Sequence, residues 1–227
     1  MKYVAALALS AGLVSVASAS EMIDFSGLVH GEIVAEQYAG MGVHISAINP
    51  NRPFDLAGIF DTTLGSTSDP DLEDPWSMGN TDLSTMLGNV LIIQENDQGD
   101  PDDEGNRPAG ELHFNFDFVA QSFGFTVIDV ESNSLEHSMV SFYLDGSLVS
   151  SVDFGDFEAG GTHDNGAIFG DNSINLISEF DVLGGYDQVV FNVGGSMAFD
   201  NIAYSVPAPG SLALLGLGGA MGFRRRR

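Results

Sequence analysis

Hydrophobic and polar positions alternate along much of this chain with a period of two. The clearest run is Glu111-Leu-His-Phe-Asn-Phe-Asp-Phe-Val119. Leu112, Phe114, Phe116 and Phe118 share one face there, while Glu111, His113, Asn115 and Asp117 share the other. That pattern predicts an antiparallel strand with one buried and one wet face. Further strands are predicted over residues 27–35 and 42–48, with Glu36 to Gly40 as the turn between them, and over 122–130, 138–144, 147–154, 173–180, 186–193 and 196–205. Residues 89–94 hold a continuous apolar run, Val90-Leu-Ile-Ile93, which suits a strand covered on both faces. Asp145-Gly146 supplies a two-residue hairpin turn, because both residues tolerate positive φ. No stretch of the body shows a persuasive helical period. About ten short strands between turn signals predict an all-β, two-sheet antiparallel β-sandwich, most simply a jelly roll.

Three polar stretches interrupt the pattern: 62–88, 96–110 and 155–171. Connections of that length in a compact domain are usually functional or disordered.

The two ends depart from the alternation altogether. Met1 to Ala19 carries Lys2, an uncharged apolar segment and then Ala17-Ser-Ala19, the order of a secretory signal peptide. At the other end, Val206-Pro-Ala-Pro209 precedes an apolar run from Ser211 to Phe223 and then Arg224, Arg225, Arg226 and Arg227. The run is shorter than the roughly 20 residues of a comfortable span, and the arginines extend its reach by snorkelling and hold the end on the cytoplasmic side. Pro207 and Pro209 break regular structure just outside the membrane. The expected organisation is a signal peptide over 1–19, an acidic β-sandwich over 20–205, and a motif, short transmembrane helix and Arg block over 206–227.

This three-part tail resembles the PEP-CTERM sorting signal, with Ala208 where that family usually has Glu. The resemblance implies export in a Gram-negative bacterium, transient anchoring in the inner membrane, and processing by an exosortase before release to the cell surface or extracellular space.

Charge adds a further constraint. The chain has 7 Lys and Arg against 32 Asp and Glu, and five of the basic residues lie in the two ends. The body therefore sets only Arg52 and Arg107 against all 32 carboxylates, a formal charge of −30. Such a surface repels phosphate backbones, so nucleic acid is excluded as a partner, and it attracts divalent cations. The chain has no cysteine, which removes disulfides, thiol catalysis and thiolate metal sites.

Calcium is the expected cofactor, in a structural role. In Asp100-Pro-Asp-Asp-Glu-Gly-Asn-Arg-Pro-Ala-Gly-Glu111, the residues Asp100, Asp102 and Glu104 stand at positions 1, 3 and 5 of the calcium-loop template, Gly105 at position 6 and Glu111 at position 12. Two prolines, Arg107 and the flanking strands depart from a true EF-hand, and a mobile acidic hairpin loop is the alternative. Asp69-Pro-Asp-Leu-Glu-Asp74 is a second acidic cluster, without the glycine. Ile59-Phe-Asp-Thr62, Asp69-Pro-Asp-Leu72, Asn89-Val-Leu-Ile-Ile93 and Phe123-Gly-Phe-Thr-Val-Ile-Asp129 together resemble motifs of exported jelly-roll modules that carry the same tail. Ala198-Phe-Asp-Asn-Ile202 resembles the closing strand of carbohydrate-binding jelly rolls. That resemblance implies a structural calcium on Asp200, with Asp24, Glu32 or Glu36 as partners.

Catalytic signatures are lacking: there is no Gly-x-Ser-x-Gly and no His-Glu-x-x-His, and the five histidines have no ligand spacing. Trp76, Tyr38, Tyr143 and Tyr186 are candidate platforms for a sugar face, with Trp76 in a polar loop as the leading one. The expected function is a non-enzymatic, exosortase-sorted surface or matrix protein contributing to the extracellular polysaccharide layer or biofilm. A calcium-dependent, lectin-like carbohydrate-binding module is the alternative, followed by a secreted hydrolase.

Overall fold

The computed structural model describes residues 18–131 and 136–207. Its strands are β1 Ser18–Ile23, β2 Val43–Ile48, β3 Ala57–Asp61, β4 Met78–Gly79, β5 Asn89–Ile93, β6 Gly110–Ile128, β7 Met139–Leu144, β8 Ser147–Asp153, β9 Ser173–Val193 and β10 Ala198–Pro207. Three short 3-10 turns punctuate them, at Ala39–Met41, Pro70–Leu72 and Phe154–Phe157. The strands are ordered β3-β5-β10-β6-β9-β7-β8, with β2 also on β6, β4 on β9 and β1 on β10. Ser20–Val206 forms one compact unit. Residues 1–17 of the expected signal peptide lie outside the described residues, as do Ala208, Pro209, the expected membrane helix and Arg224 to Arg227. Val206 and Pro207 end β10. Among the described residues no helix is long and apolar enough to cross a membrane.

The two longest strands set the architecture. β6 and β9 pair antiparallel from Gly110↔Val193 to Ile128↔Ile174, and the register shifts at three points between Asn115 and Phe125. Each shift leaves one or more residues of one strand without a direct partner and sharpens the local twist. The β6 positions that face the aromatic core change parity across these shifts, from Leu112, Phe114 and Phe116 to Phe123, Phe125 and Val127. The first half of β6 is flanked by β2 (Val43↔Phe116 to Ile48↔Glu111) and the second half by β10 (Ala198↔Ile128 to Tyr204↔Phe123). The later half of β9 is flanked by β7, and β8 follows β7 through the Asp145-Gly146 turn, whose φ values of 50° and 73° are those its sequence predicts.

The two halves of this bent ribbon face each other as a sandwich. Phe191 of β9 lies 4.3 Å, ring to ring, from Phe199 of β10 and 4.9 Å from Phe125 of β6. Phe114, Phe123, Phe142, Phe154, Phe157 and Tyr186 complete an aromatic core with no exposed member. The expected all-β sandwich is the fold found. Four predicted strands merge into two, because bulges bend β6 and β9 without ending their pairing.

Other expectations give way to packing. Residues 27–35 form turns that run beside β3, with Gly31 N–H on the Ile59 carbonyl at 2.8 Å and Val34 N–H on the Ala57 carbonyl at 2.8 Å. One isolated bridge, Ile33↔Gly58, is all the ladder they form. β3 itself carries no alternation signal because both its faces are buried. Inner residues Ala57 and Ile59 join the aromatic core, while Phe60 faces outward into a second apolar cluster with Val90, Ile92, Ile128, Ile174 and Ala198.

That second cluster explains the apolar run of β5 and corrects the reading of 62–88 as a polar loop. Leu72 and Trp76 from this segment are buried against it, and Trp76 is 4% exposed. The indole Nε1–H donates to the Thr85 carbonyl at 2.8 Å, so the ring's one polar atom is satisfied inside the fold. Backbone bonds lace the segment to its neighbours: Asp74 N–H to the Thr62 carbonyl at 3.0 Å and Ser77 N–H to the Asn172 carbonyl at 3.0 Å. Trp76 is therefore a core residue and offers no open face to a sugar. As the chain's one tryptophan, it is expected to emit at short wavelength and resist aqueous quenchers. Trp76→Ala is expected to cost about 3–5 kcal/mol in urea unfolding. A solvent-like emission maximum and an unchanged urea midpoint would contradict this packing.

Candidate functional site

The four residues placed on the calcium-loop template do not converge on one point. Asp100 is exposed, accepting from the Ser68 hydroxyl at 2.6 Å and lying 3.3 Å from His30 Nε2. Those two hydrogen bonds, the serine's first, hold its carboxyl below the usual range. Glu104 is buried and accepts from Asn49 Nδ2 at 3.2 Å and the Asn106 N–H at 3.1 Å, with Arg52 Nε at 3.3 Å. Glu111 turns outward on β6 to His113 Nε2 at 2.8 Å and Asn192 Nδ2 at 3.1 Å. Gly105 is not among the residues with positive φ. Linear spacing fits the template, but the bridge between Gln94 and Asp103 draws this segment out as an extension of the sheet edge. Among the described residues Asp100, Asp102, Glu104 and Glu111 are not brought together as an EF-type shell.

Asp102 has other company. Carboxylate oxygens of Asp69, Asp102 and Asp103 all lie within 4.8 Å of one another, with Asp69 and Asp103 buried and Asp102 half-buried. Asp69 comes from the segment that covers the second core, and Asp102 and Asp103 from the connection between β5 and β6. The turn between β9 and β10 adds Ser196, whose hydroxyl lies 2.6 Å from Asp103 Oδ2 and 2.9 Å from Asp129 Oδ2. Asp129 follows β6 with φ 57° and accepts from the Asn172 N–H at 2.6 Å. Burial dominates here. It pushes Asp103 well above the usual carboxylate range, with the charge of Asp69 adding to it. It lifts Asp102 to about 6, helped by Glu95 and Asp69, and Asp129 to about 8 against the hydrogen bonds from Asn172 and Ser196. Both acidic clusters are visible in the sequence. That they meet is a tertiary contact between the cover segment and the β5–β6 connection, which no local spacing reveals.

Asp200 lies elsewhere, on β10 at an irregularity in its pairing with β6, next to Asn201 at φ 50°. It is 2% exposed, and its Oδ1 has no hydrogen-bond donor among the described residues. Burial lifts its pKa to about 8; the Asn201 N–H opposes the shift, and the charge of Asp24 adds to it. Asp24 accepts from the Ser26 N–H at 3.2 Å and hydroxyl at 2.9 Å. The Tyr38 phenol, raised to about 12, feels burial first and then Asp24, Asp200 and Glu32. The charges of Asp24 and Asp200 are thus both felt at Tyr38, while Glu32 accepts from the Val29 N–H at 3.1 Å and Gln37 Nε2 at 3.1 Å. Glu36 is directed away, to His44 Nδ1 at 2.6 Å. Tyr38 is half-buried and packs edge-on to Phe25 at 5.6 Å, whereas Tyr186 is fully buried with its hydroxyl on the Ser122 carbonyl at 2.7 Å and offers no open face.

A cleft of about 360 Å³ opens where β2, β6 and β9 end, lined by Ile48, Pro50, Pro108, Glu111, Glu136 and Asn192 among others. Glu136 is 6% exposed, with Oε2 lacking a partner and Oε1 3.5 Å from Arg107. Burial raises its pKa from 4.5 to about 7, opposed by the charge of Arg107 and aided by that of Glu131. Between those two values the unfolded chain has released a proton that the folded protein still holds. Its contribution to stability is therefore complete below about pH 4.5 and lost as pH rises through about 7. Glu136→Gln is expected to flatten that decline, read as urea midpoints at about pH 5 and about pH 8. An identical decline in the variant would assign the slope to other carboxylates.

No curated protein matches this chain. Two solved structures are similar over most of its length. The K2 cleaved adhesin domain of Lys-gingipain (Kgp) is 14% identical, with 83% of this chain and 98% of that chain covered and a TM-score of 0.42. The K1 cleaved adhesin domain of Lys-gingipain from Porphyromonas gingivalis is 10% identical, with 83% and 97% covered and a TM-score of 0.35. Residues 205–227 match the family described as the PEP-CTERM protein-sorting motif, which implies export, processing by an exosortase and sorting to the cell surface. An all-β body thus leads directly, through the last residues of β10, into a PEP-CTERM protein-sorting motif.

Proposed function

We propose that this chain is a non-catalytic surface or matrix protein whose acidic sandwich contributes to the extracellular polysaccharide layer after exosortase processing. The observation that carries this reading is the sorting motif at 205–227 on a body that sets two arginines against 32 carboxylates. Like charge keeps such bodies dispersed and soluble, and divalent cations are the ions that bridge carboxylates on neighbouring polymers. Within the body, Asp200, Asp24 and Glu32 would hold a structural calcium. The buried Oδ1 of Asp200, left without a donor, supports that role. The route would be that of a Gram-negative exported protein, anchored briefly in the inner membrane by the apolar run and the Arg block.

Ala208 in place of the usual glutamate makes the processing step the informative one to test. Intact mass of the protein recovered from its native host is expected to show a chain that begins near Ser20 and ends upstream of Arg227. Deleting the host's exosortase is expected to return the full C-terminus. A surface protein that still carries Arg227 would contradict the proposal.

A further inference from the structure

We infer that the end of the sandwich from which the chain leaves for its apolar tail sits on the surface of the lipid bilayer, with Leu183 as the side chain that enters it. The inference deepens the surface-protein reading and rests on one part of it, the entry of residues 211–223 into the membrane.

The ladder between β6 and β9 builds the tip. Ala120 pairs with Tyr186 and Ser122 with Asp181, so Gln121 alone on β6 stands opposite residues 182–185 of β9. Those residues are forced out of the sheet as a short loop. Val182 turns inward to the aromatic core, and Leu183 is left 96% exposed, the barest large apolar side chain among the described residues. Gly184 and Gly185 close the loop at φ 95° and 77°. A Cβ on Gly185 would lie 2.6 Å from Val119 Cγ1 and 2.8 Å from the Ala120 carbonyl oxygen, so the loop is seated directly on the bend of β6.

Neighbouring connections add to the same end. Val119 is itself exposed. The Asp145 N–H donates to Asp187 Oδ2 at 3.0 Å, which brings the β7–β8 turn alongside β9, and Leu148 and Val149 are exposed just beyond that turn. On the other flank, a Cβ on Gly42 would lie 3.2 Å from Phe118 Cε1, and Met41 before it is exposed. Apolar side chains from four connections, gathered at one end and left in water, mark a surface for an apolar partner.

The course of the chain selects that partner. The N–H groups of Gln121 and Ser122 donate to Ser205 Oγ at 2.7 and 3.0 Å, so β10 reaches the same bend one residue before Val206. β9 and β10 flank β6, which sets the loop and the end of β10 about 10 Å apart, two strand spacings. From Pro207 to Ser211, where the apolar run begins, the chain can span at most about 14 Å. So short a tether keeps the bend beside the membrane that the run enters. Asp117, Asp145, Asp181 and Asp187 lie around the tip and repel anionic headgroups, so the surface fits zwitterionic lipid. Even a whole myristoyl chain holds a protein on a bilayer only marginally, so loss of the tail would release the domain.

The chain has no cysteine, so one introduced thiol carries an environment-sensitive dye at one chosen point. The full chain, reconstituted into phosphatidylcholine vesicles, is labelled in turn at three positions. Val119→Cys lies beside the loop and Ala213→Cys within the apolar run. Gly105→Cys lies beyond the opposite end of β6, where a side chain meets nothing within 4 Å. The dye at 119 is expected to emit at shorter wavelength on reconstitution and to be shielded from acrylamide, while the dye at 105 is unchanged. Leu183→Asp is expected to abolish the shift at 119 and to leave the melting temperature as it was, since Leu183 is bare in the folded protein. Adding phosphatidylglycerol is expected to shrink the shift. A dye in water at 119 with the dye at 213 in lipid overturns this inference alone; both in water overturn it together with the anchoring of the tail. A shift that survives Leu183→Asp, is matched at 105, or grows on anionic vesicles overturns it too. So does a shift that rises with the density of protein in the vesicle, which assigns the contact to a second copy.

Discussion

Everything else in this protein depends on the antiparallel pairing of β6 with β9 and on the bulges that bend it. A straight pair of 19 and 21 residues would form one open sheet with a single buried face. The register shifts between Asn115 and Phe125 fold the pair over, so that Phe191 meets both Phe125 and Phe199 across the sandwich. The same bend returns both ends of β6 to one end of the domain. There the Ser196 hydroxyl spans Asp103, from the connection before β6, and Asp129, just after it. With no disulfide in the chain, aromatic packing across this bend carries the stability that a secreted domain of this kind otherwise takes from cross-links.

The acidic groups divide into two populations with different physics. Half are exposed, and they cost the fold little because water and salt screen them. A few are desolvated: Asp69, Asp103, Glu104, Asp129, Glu136 and Asp200 are each less than a tenth exposed. Arg52 lies beside Glu104 and Arg107 beside Glu136, and with no guanidinium recorded beside the others, those four favour protons or metal ions. They cluster where loops meet and at the irregular point of β10, away from the aromatic core.

Legibility from sequence followed the range of the interactions. The alternation of Glu111 to Val119, the Asp145-Gly146 turn and the apolar run of β5 are local, and each was readable. Phe60 and Val90 look out of place on an outer face until Leu72 and Trp76 are known to cover them, and that contact spans a polar segment with no periodicity. Residues 27–35 have the composition of a strand, but their backbone finds partners on β3 through turns. At the candidate sites, the closing-strand motif singles out Asp200, which the fold buries at the irregular point of β10. Glu36 was not separable from Asp24 and Glu32 in sequence, since only the position of His44 decides where it turns. The calcium-loop template failed because it assigns ligands by spacing along one segment, whereas Asp102 meets Asp69 from another.

Residues 62–88 form a fixed cover, joined to the sheet through a buried core and a carboxylate-rich edge. Native-state hydrogen exchange resolved to single amides tests it most directly. The amides of Asp74, Trp76 and Ser77, bonded to Thr62, Leu83 and Asn172, are expected to exchange slowly, on the timescale of those in β5. Exchange of those three amides at the rate of an open loop, with β5 still protected, would contradict the claim.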